Sequence, residues 1–156
     1  MTDRVVAHQG AACWATLFTH AHYLPCLAVL LQSMRACQTR YPLVVMVTET
    51  VDARTRERLT RMGCVLRDVD AWRVPHADGS LAFERFQNVW TKLRAFELYE
   101  YERVVMIDSD MLMCHNMDEL FDRPLERGMI AAALACTCNP KQIPTYPAEW
   151  TPRNCG

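Results

Sequence analysis

Short unbroken apolar runs alternate along this chain with segments whose apolar residues recur every three or four positions. A run such as Leu43–Val47 offers no polar face, so it fits a strand covered on both sides, as strands of parallel sheets are. Cys13–Thr19 reads as the first such strand, followed by a polar loop at His20-Ala21-His22. From Tyr23 to Cys37, Leu24, Leu27, Leu30, Leu31 and Met34 fall on one helical face, with Pro25 tolerated in the first turn. Asp52 and Gly63 supply start and stop signals for a surface helix over 51–62. Cys64–Val69 and Arg103–Ile107 complete the set of strands, and Met129–Ala135 is a candidate fifth. A helix resumes at Asn88 with Trp90, Leu93, Leu98 and Tyr101 at its apolar positions. Strands alternating with helices predict an α/β fold of three layers around a largely parallel sheet, with ligands beyond the carboxyl ends of its strands.

The 156 residues, 51% hydrophobic and 22% charged, suit one globular domain over 1–156, with a proline-rich loop over 136–156. The irregular stretch 70–87 is long enough for a functional loop. Seventeen Lys and Arg against 18 Asp and Glu give a net charge of -1, which disfavours nucleic acid as a partner. No apolar run reaches the roughly 20 residues of a membrane span, and the start Met1-Thr2-Asp3-Arg4 lacks a signal-peptide core. A cytoplasmic location is expected. Cys13, Cys26, Cys37, Cys64 and Cys114 lie in or beside apolar stretches and read as reduced thiols. Cys136, Cys138 and Cys155 lack the spacing and the histidine of a structural zinc site. His20 and His22 have no adjacent carboxylate partner for a metal.

The most informative chemistry is Asp108-Ser109-Asp110, directly after Val104-Val105-Met106-Ile107. On an extended chain, residues i and i+2 point to one side, so two carboxylates would meet one cation. Their repulsion is relieved by Mg²⁺ or Mn²⁺, which keeps coordination positions open for diphosphate oxygens. Two other readings stand beside this one. The aspartates can simply terminate a strand and cap a turn. Phosphatases of the haloacid dehalogenase type also place two aspartates after an apolar strand, the first as nucleophile, although on their first strand and usually without a residue like Leu112 two positions on.

The ordered set Asn88-Val89-Trp90-Thr91-Lys92-Leu93-Arg94, Met106-Ile107-Asp108-Ser109-Asp110 and Asn116-Met117-Asp118-Glu119-Leu120-Phe121-Asp122 resembles glycosyltransferase family eight, in its glycogenin and galactinol synthase group. Trp14-Ala15-Thr16-Leu17-Phe18-Thr19 with Tyr23 is similar to that family's first strand and nucleotide loop, so the resemblance runs from about Cys13 to Asp122. It implies the GT-A (nucleotide-diphospho-sugar transferase) fold and transfer of a hexosyl group from a UDP-sugar to an acceptor hydroxyl, with retention and with Mn²⁺ or Mg²⁺. The acceptor class is open among a sugar, a polyol and a protein, and a homodimer is compatible with the family.

By the same resemblance, Leu17, Thr19, His20 and Tyr23 lie at the uracil and ribose, with His20 standing where the family usually has Asn. Lys92, one of two lysines in the chain, matches the lysine near the nucleotide-sugar. Asn88 shares its helix face, and Arg85 falls where the family often places a cation. Asp108 and Asp110 match the metal-binding pair, and the Ser109 backbone approaches the ribose. Asp118 and Asp122 read instead as charges at a helix end. No catalytic nucleophile is evident. The family's N-S-G stretch, its sugar-side acid and its H-x-x-G-x-x-K-P-W segment do not occur before Gly156. The reading is therefore a truncated, nucleotide-binding part of the family's domain, with weak metal affinity and no turnover of its own. A non-catalytic binding or interaction module is the remaining alternative.

Overall fold

A computed structural model describes residues 12–72, 89–126, 128–133, 138–139, 141–144 and 146–153. The chain forms two compact units, Met1–Arg123 and Pro124–Gly156.

In the first unit the predicted strands and helices form close to their expected bounds: β1 Ala12–Phe18, α1 Leu24–Ala36, β2 Leu43–Val47, α2 Ala53–Arg61, β3 Val65–Asp68 and β4 Arg103–Met106. The sheet order is β3-β2-β1-β4. Every neighbouring pair is parallel, with Trp14 opposite Leu43, Cys13 opposite Val104 and Val44 opposite Val65. Strand β2 is buried at every residue, as its unbroken apolar run requires.

Alternation of side chains along the strands divides the core between the two faces of the sheet. Trp14, Phe18, Val45 and Val47 pack with Leu27, Leu30 and Met34 of α1 and Leu59 of α2. Cys13, Ala15, Val44 and Met46 pack on the other face with Leu98, joined by the partly buried Leu17 and Tyr101. Trp14 also meets the Phe121 ring edge-on at 5.0 Å, which ties the short 3₁₀ turn Asp118–Asp122 to β1.

The helix stop and start signals act as expected. Asp52 accepts from the Thr55 backbone N–H at 2.9 Å and from its hydroxyl at 2.8 Å. Gly63 takes φ +89°, which a residue with a Cβ adopts only at a cost. Burial pushes the thiol pKa of Cys13 up to about 12, helped by Glu100, and that of Cys64 up to about 11 against an opposing pull from Arg35. Both remain protonated thiols of the core.

Three expectations are corrected. The segment after Asn88 is a 3₁₀ helix, Val89–Glu97. With three residues per turn it buries Thr91 and leaves Trp90 and Leu93 43% and 38% exposed, so neither is a core residue. Residues 128–133 form no strand, and Met129 and Ile130 are exposed; residues 134 and 135 of the expected fifth strand lie outside the described residues. Asp118, expected as a helix-terminal charge either favourable at the helix start or simply solvated, does open the 3₁₀ turn Asp118–Asp122 but is 4% exposed and so not solvated.

No described helix is long and apolar enough to cross a membrane.

Candidate functional site

Strand β1 borders β2 on one side and β4 on the other, so the order of the sheet reverses between β1 and β4. In open parallel sheets the crevice at the carboxyl ends of such a pair receives the ligand. Ile107 N–H donates to Ala15 C=O at 2.9 Å, holding the start of the acidic motif against β1. The loops that follow β1 and β4, with Thr19-His20 and Asp108-Ser109-Asp110, therefore leave the sheet side by side.

After β4 the chain turns. Met111 N–H donates to Asp108 C=O at 3.1 Å, placing Ser109 and Asp110 inside a tight turn instead of on an extended strand. The expectation that i and i+2 share a side by strand geometry thus fails locally, because β4 ends at Met106. Asp108 and Ser109 are half-buried and Asp110 is exposed. The Asp110 carboxylate makes no hydrogen bond or ion pair with a described residue. Lys92 Nζ donates to Asp108 Oδ1 at 2.5 Å, joining the 3₁₀ helix to the end of β4. Both side chains are about two-fifths exposed, at 39% and 43%, so solvent screens the pair and it contributes little to stability.

On the β1 side, Thr19 Oγ1 lies 2.8 Å from His20 Nδ1. Thr19 C=O accepts from Thr50 Oγ1 at 2.6 Å, and Thr50 meets Thr48 Oγ1 at 2.7 Å, so the loops after β1 and β2 brace each other. His22 stacks on Tyr23 at 4.1 Å between ring centroids, and His20 lies 5.4 Å from His22. Tyr23 is 40% exposed and ends the short 3₁₀ turn Ala21–Tyr23, so its ring is available to a ligand. Leu17 is partly buried against the second face of the core. Arg85 and Asn88 lie outside the described residues.

Sequence reasoning missed a neighbouring charged cavity of about 330 Å³ at the carboxyl ends of β2 and β3, lined by Glu49, Arg56, Asp68, Asp70, Arg94 and Glu97. Arg56 donates to the carbonyls of Val51 and Thr48, each at 2.8 Å, and pairs with Asp68 at 2.5 Å. Arg94 pairs with Glu97 at 2.5 Å and lies 5.3 Å from the Trp72 ring centroid. The available signal was a second aspartate pair, Asp68-Val69-Asp70, at the end of β3. Both arginines are engaged within the protein, which distinguishes this wall from the exposed carboxylate of Asp110.

A divalent cation at Asp108 and Asp110 is consistent with the donor set. Both supply hard oxygen ligands of the kind that suit Mg²⁺ and Mn²⁺. The Asp110 carboxylate has no partner among the described residues, and Asp108 has one oxygen outside the lysine contact. Among the described residues no three His, Cys, Asp or Glu side chains converge to hold a metal. Remaining positions would fall to diphosphate, water and groups outside the described residues.

No family model matches the chain. Galactinol synthase 5 of Arabidopsis thaliana is 30% identical over 138 residues, covering 87% of this chain and 41% of its own length. Galactinol synthase 2 of Ajuga reptans is 34% identical over 109 residues, covering 70% of this chain and 37% of its own. The chain thus spans about two-fifths of the length of the curated relatives it matches. Among solved structures, the bifunctional glycosyltransferase WbbM in its apo form superposes with a TM-score of 0.55 at 21% identity, over 78% of this chain and 22% of that one. Over most of its length this chain resembles the galactinol synthases of glycosyltransferase family eight, and its parallel α/β sheet is a fold of the GT-A type.

Proposed function

We propose that this chain carries the donor-nucleotide part of a glycosyltransferase that moves a hexosyl group from a UDP-sugar to an acceptor hydroxyl with retention of configuration. The observation that carries the proposal is the meeting of Lys92 with Asp108, beside the unengaged Asp110, at the end of β4 next to β1. A nucleotide diphosphate needs positive charge on its phosphates, and an acidic pair at the same place serves that need only through a cation. Asp108 and Asp110 would hold Mn²⁺ or Mg²⁺, which compensates charge on the departing UDP.

The chain's own residues supply binding and orientation. Lys92 is placed to exchange its carboxylate partner for a phosphate oxygen. Thr19, His20 and Tyr23 line the β1 side, where an aromatic ring and a ring nitrogen suit a base and ribose, and Leu17 fixes the strand beneath them. The backbone of Ser109 faces the ribose. Arg85 and Asn88 are proposed donor contacts from sequence alone. In the transfer, the bond between the anomeric carbon and the β-phosphate oxygen breaks. UDP leaves with the electron pair, the acceptor oxygen bonds to the anomeric carbon, and the hydroxyl proton passes to solvent.

The test is calorimetric titration of the chain with UDP in Mn²⁺ and again in chelator, with circular dichroism as a check on folding. The proposal expects binding that needs the metal. Metal-dependent phosphate release from p-nitrophenyl phosphate, without UDP binding, would replace it with the phosphatase reading. A folded chain indifferent to both would leave an interaction module.

A further inference from the structure

The segment that follows the acidic turn is strapped to the carboxyl end of α1. Met113 N–H donates to Ser33 Oγ at 3.0 Å, and Cys37 Sγ donates to Met113 C=O at 3.4 Å. Asn116 Nδ2 donates to the carbonyls of Cys37 and Gln38, just beyond the helix, at 3.1 and 3.2 Å. Gln38 holds φ +55°, the left-handed conformation that ends the helix, and Thr39 N–H returns to Met34 C=O at 3.2 Å. The strap thus begins three residues after Asp110 and is built against one helix end.

A second thiol sits inside this strap. Cys114 lies between Met113 and Asn116, both of which touch Cys37, and it is exposed in a segment without helix or strand. The carbonyl that accepts from Cys37 belongs to the peptide bond joining Met113 to Cys114. Across that planar bond the Cys114 Cα is no more than about 6 Å from the Cys37 sulfur.

Both thiols are free, and Cys37 is half-buried. A disulfide sets its two Cα atoms about 4.4–6.8 Å apart. Turning both side chains about χ1 brings the sulfurs toward each other, and the exposed coil at Cys114 supplies the remaining movement. Cys114 Sγ is held only by a weak contact, 3.9 Å from Leu112 C=O. Other cysteines of this unit are placed differently. Cys13 and Cys64 are buried in the core, and Cys26 lies near the start of α1, about 16 Å along the helix axis from Cys37.

We propose that Cys37 and Cys114 form a reversible disulfide, a redox switch that locks the strap behind the acidic turn to the end of α1. The oxidant is a low-molecular-weight disulfide, represented by oxidised glutathione. The thiolate of the exposed Cys114 attacks one of its sulfurs, forming a mixed disulfide and releasing one glutathione thiolate. The Cys37 thiolate then attacks the Cys114 sulfur and expels the second glutathione. Two protein thiols are oxidised to one disulfide, one glutathione disulfide is reduced to two thiols, and the protons of the protein thiols end on the two glutathiones. Excess reduced glutathione reverses both steps.

The test equilibrates the full chain with oxidised glutathione, blocks the remaining thiols with iodoacetamide and maps tryptic peptides by mass spectrometry. Trypsin separates the two residues, Cys37 in 36–40 and Cys114 in 104–127, each the one cysteine of its peptide. These two peptides should appear joined, and dithiothreitol should part them. Cys37→Ser should instead retain glutathione on Cys114, and Cys114→Ser should lose the cross-link, both with unchanged circular dichroism. The oxidised wild type should melt about 5 °C higher than the reduced one, a shift absent from both variants. Cys114 joined to a different cysteine, a glutathione adduct that persists on wild-type Cys114, or two thiols left free in excess oxidised glutathione overturns the proposal. A cross-link that leaves the melting temperature unchanged overturns the lock.

Discussion

Asp118→Asn should destabilise the first unit in a way that depends on pH. Asp118 Oδ1 accepts from Thr39 Oγ1 at 2.5 Å, and Oδ2 accepts from the Arg40 backbone N–H at 3.0 Å, with longer contacts from Arg40 Nε and Asn116 Nδ2 at 3.4 Å. Thr39 in turn accepts from the Trp14 indole at 2.9 Å, so the carboxylate terminates a chain of bonds that begins in the core. Asparagine keeps one acceptor and turns an N–H₂ toward a donor. It therefore loses one charge-assisted hydrogen bond and weakens the others, about 2 kcal/mol at pH 7 where bonds to charged groups contribute roughly 1.5–3. For a chain of this length that lowers the melting temperature by about 4–8 °C.

Burial raises the Asp118 pKa, but the bonds from Thr39, Arg40 and Asn116 outweigh it and hold the carboxyl below the ordinary range of an aspartate. As pH falls, the unfolded chain takes up the proton first. The contribution is complete above the unfolded value of about 3.9 and is lost as pH drops through the lower folded value. Urea unfolding followed by circular dichroism at pH 7 and again near pH 3 measures the difference between wild type and variant. A deficit that narrows at low pH is expected. A deficit under about 0.5 kcal/mol at pH 7, or one that does not change with pH, would refute the reasoning.

Other substitutions separate core from surface. Trp14→Ala, at a residue 1% exposed, should cost about 3–5 kcal/mol in urea unfolding, whereas Trp90→Ala should cost under about 1. Thr16 is fully buried and its hydroxyl finds no partner among the described residues, so Thr16→Val, which keeps the shape, should stabilise by about 1 kcal/mol in the same assay. Lys92→Gln should leave the melting temperature unchanged, because its ion pair is exposed, while weakening UDP binding in Mn²⁺ about tenfold by calorimetry.

The sheet and its two α-helices were legible because each carries a redundant local signal. The run Leu43–Val47 admits only a covered strand, and Asp52 and Gly63 mark the ends of α2 by chemistry that acts within four residues. The 3₁₀ helix deceived for a physical reason. Of the expected apolar positions Trp90, Leu93, Leu98 and Tyr101, the first two fall with Phe96 on one exposed side of a helix with three residues per turn, whereas Leu98 and Tyr101, beyond its end at Glu97, do pack against the core. The burial of Asp118 was missed because its partners Thr39 and Arg40 precede it by 79 and 78 residues, a distance no local pattern encodes. At the candidate site, the resemblance put Lys92 and Asp108 at one ligand but did not announce their ion pair, and the turn at Ser109-Asp110 was not legible either, since the apolar run gives no sign that β4 ends before Ile107. The hydrogen bonds from Gln142 N–H to Asn139 C=O, Tyr146 N–H to Ile143 C=O and Trp150 N–H to Pro147 C=O were not foreseen within the expected proline-rich loop, because prolines announce turns without specifying where they close.

Electron paramagnetic resonance of Mn²⁺ addresses the donor site directly, since the signal of the free aqueous ion falls as the ion is bound. With chain and UDP both present, the free signal should drop beyond the sum of what either causes alone, and Asp110→Asn should abolish that excess while leaving the circular dichroism spectrum intact. An equal drop with the Asp110→Asn variant, or UDP binding by the wild type that persists undiminished in chelator, would contradict a metal-bridged nucleotide at Asp108 and Asp110.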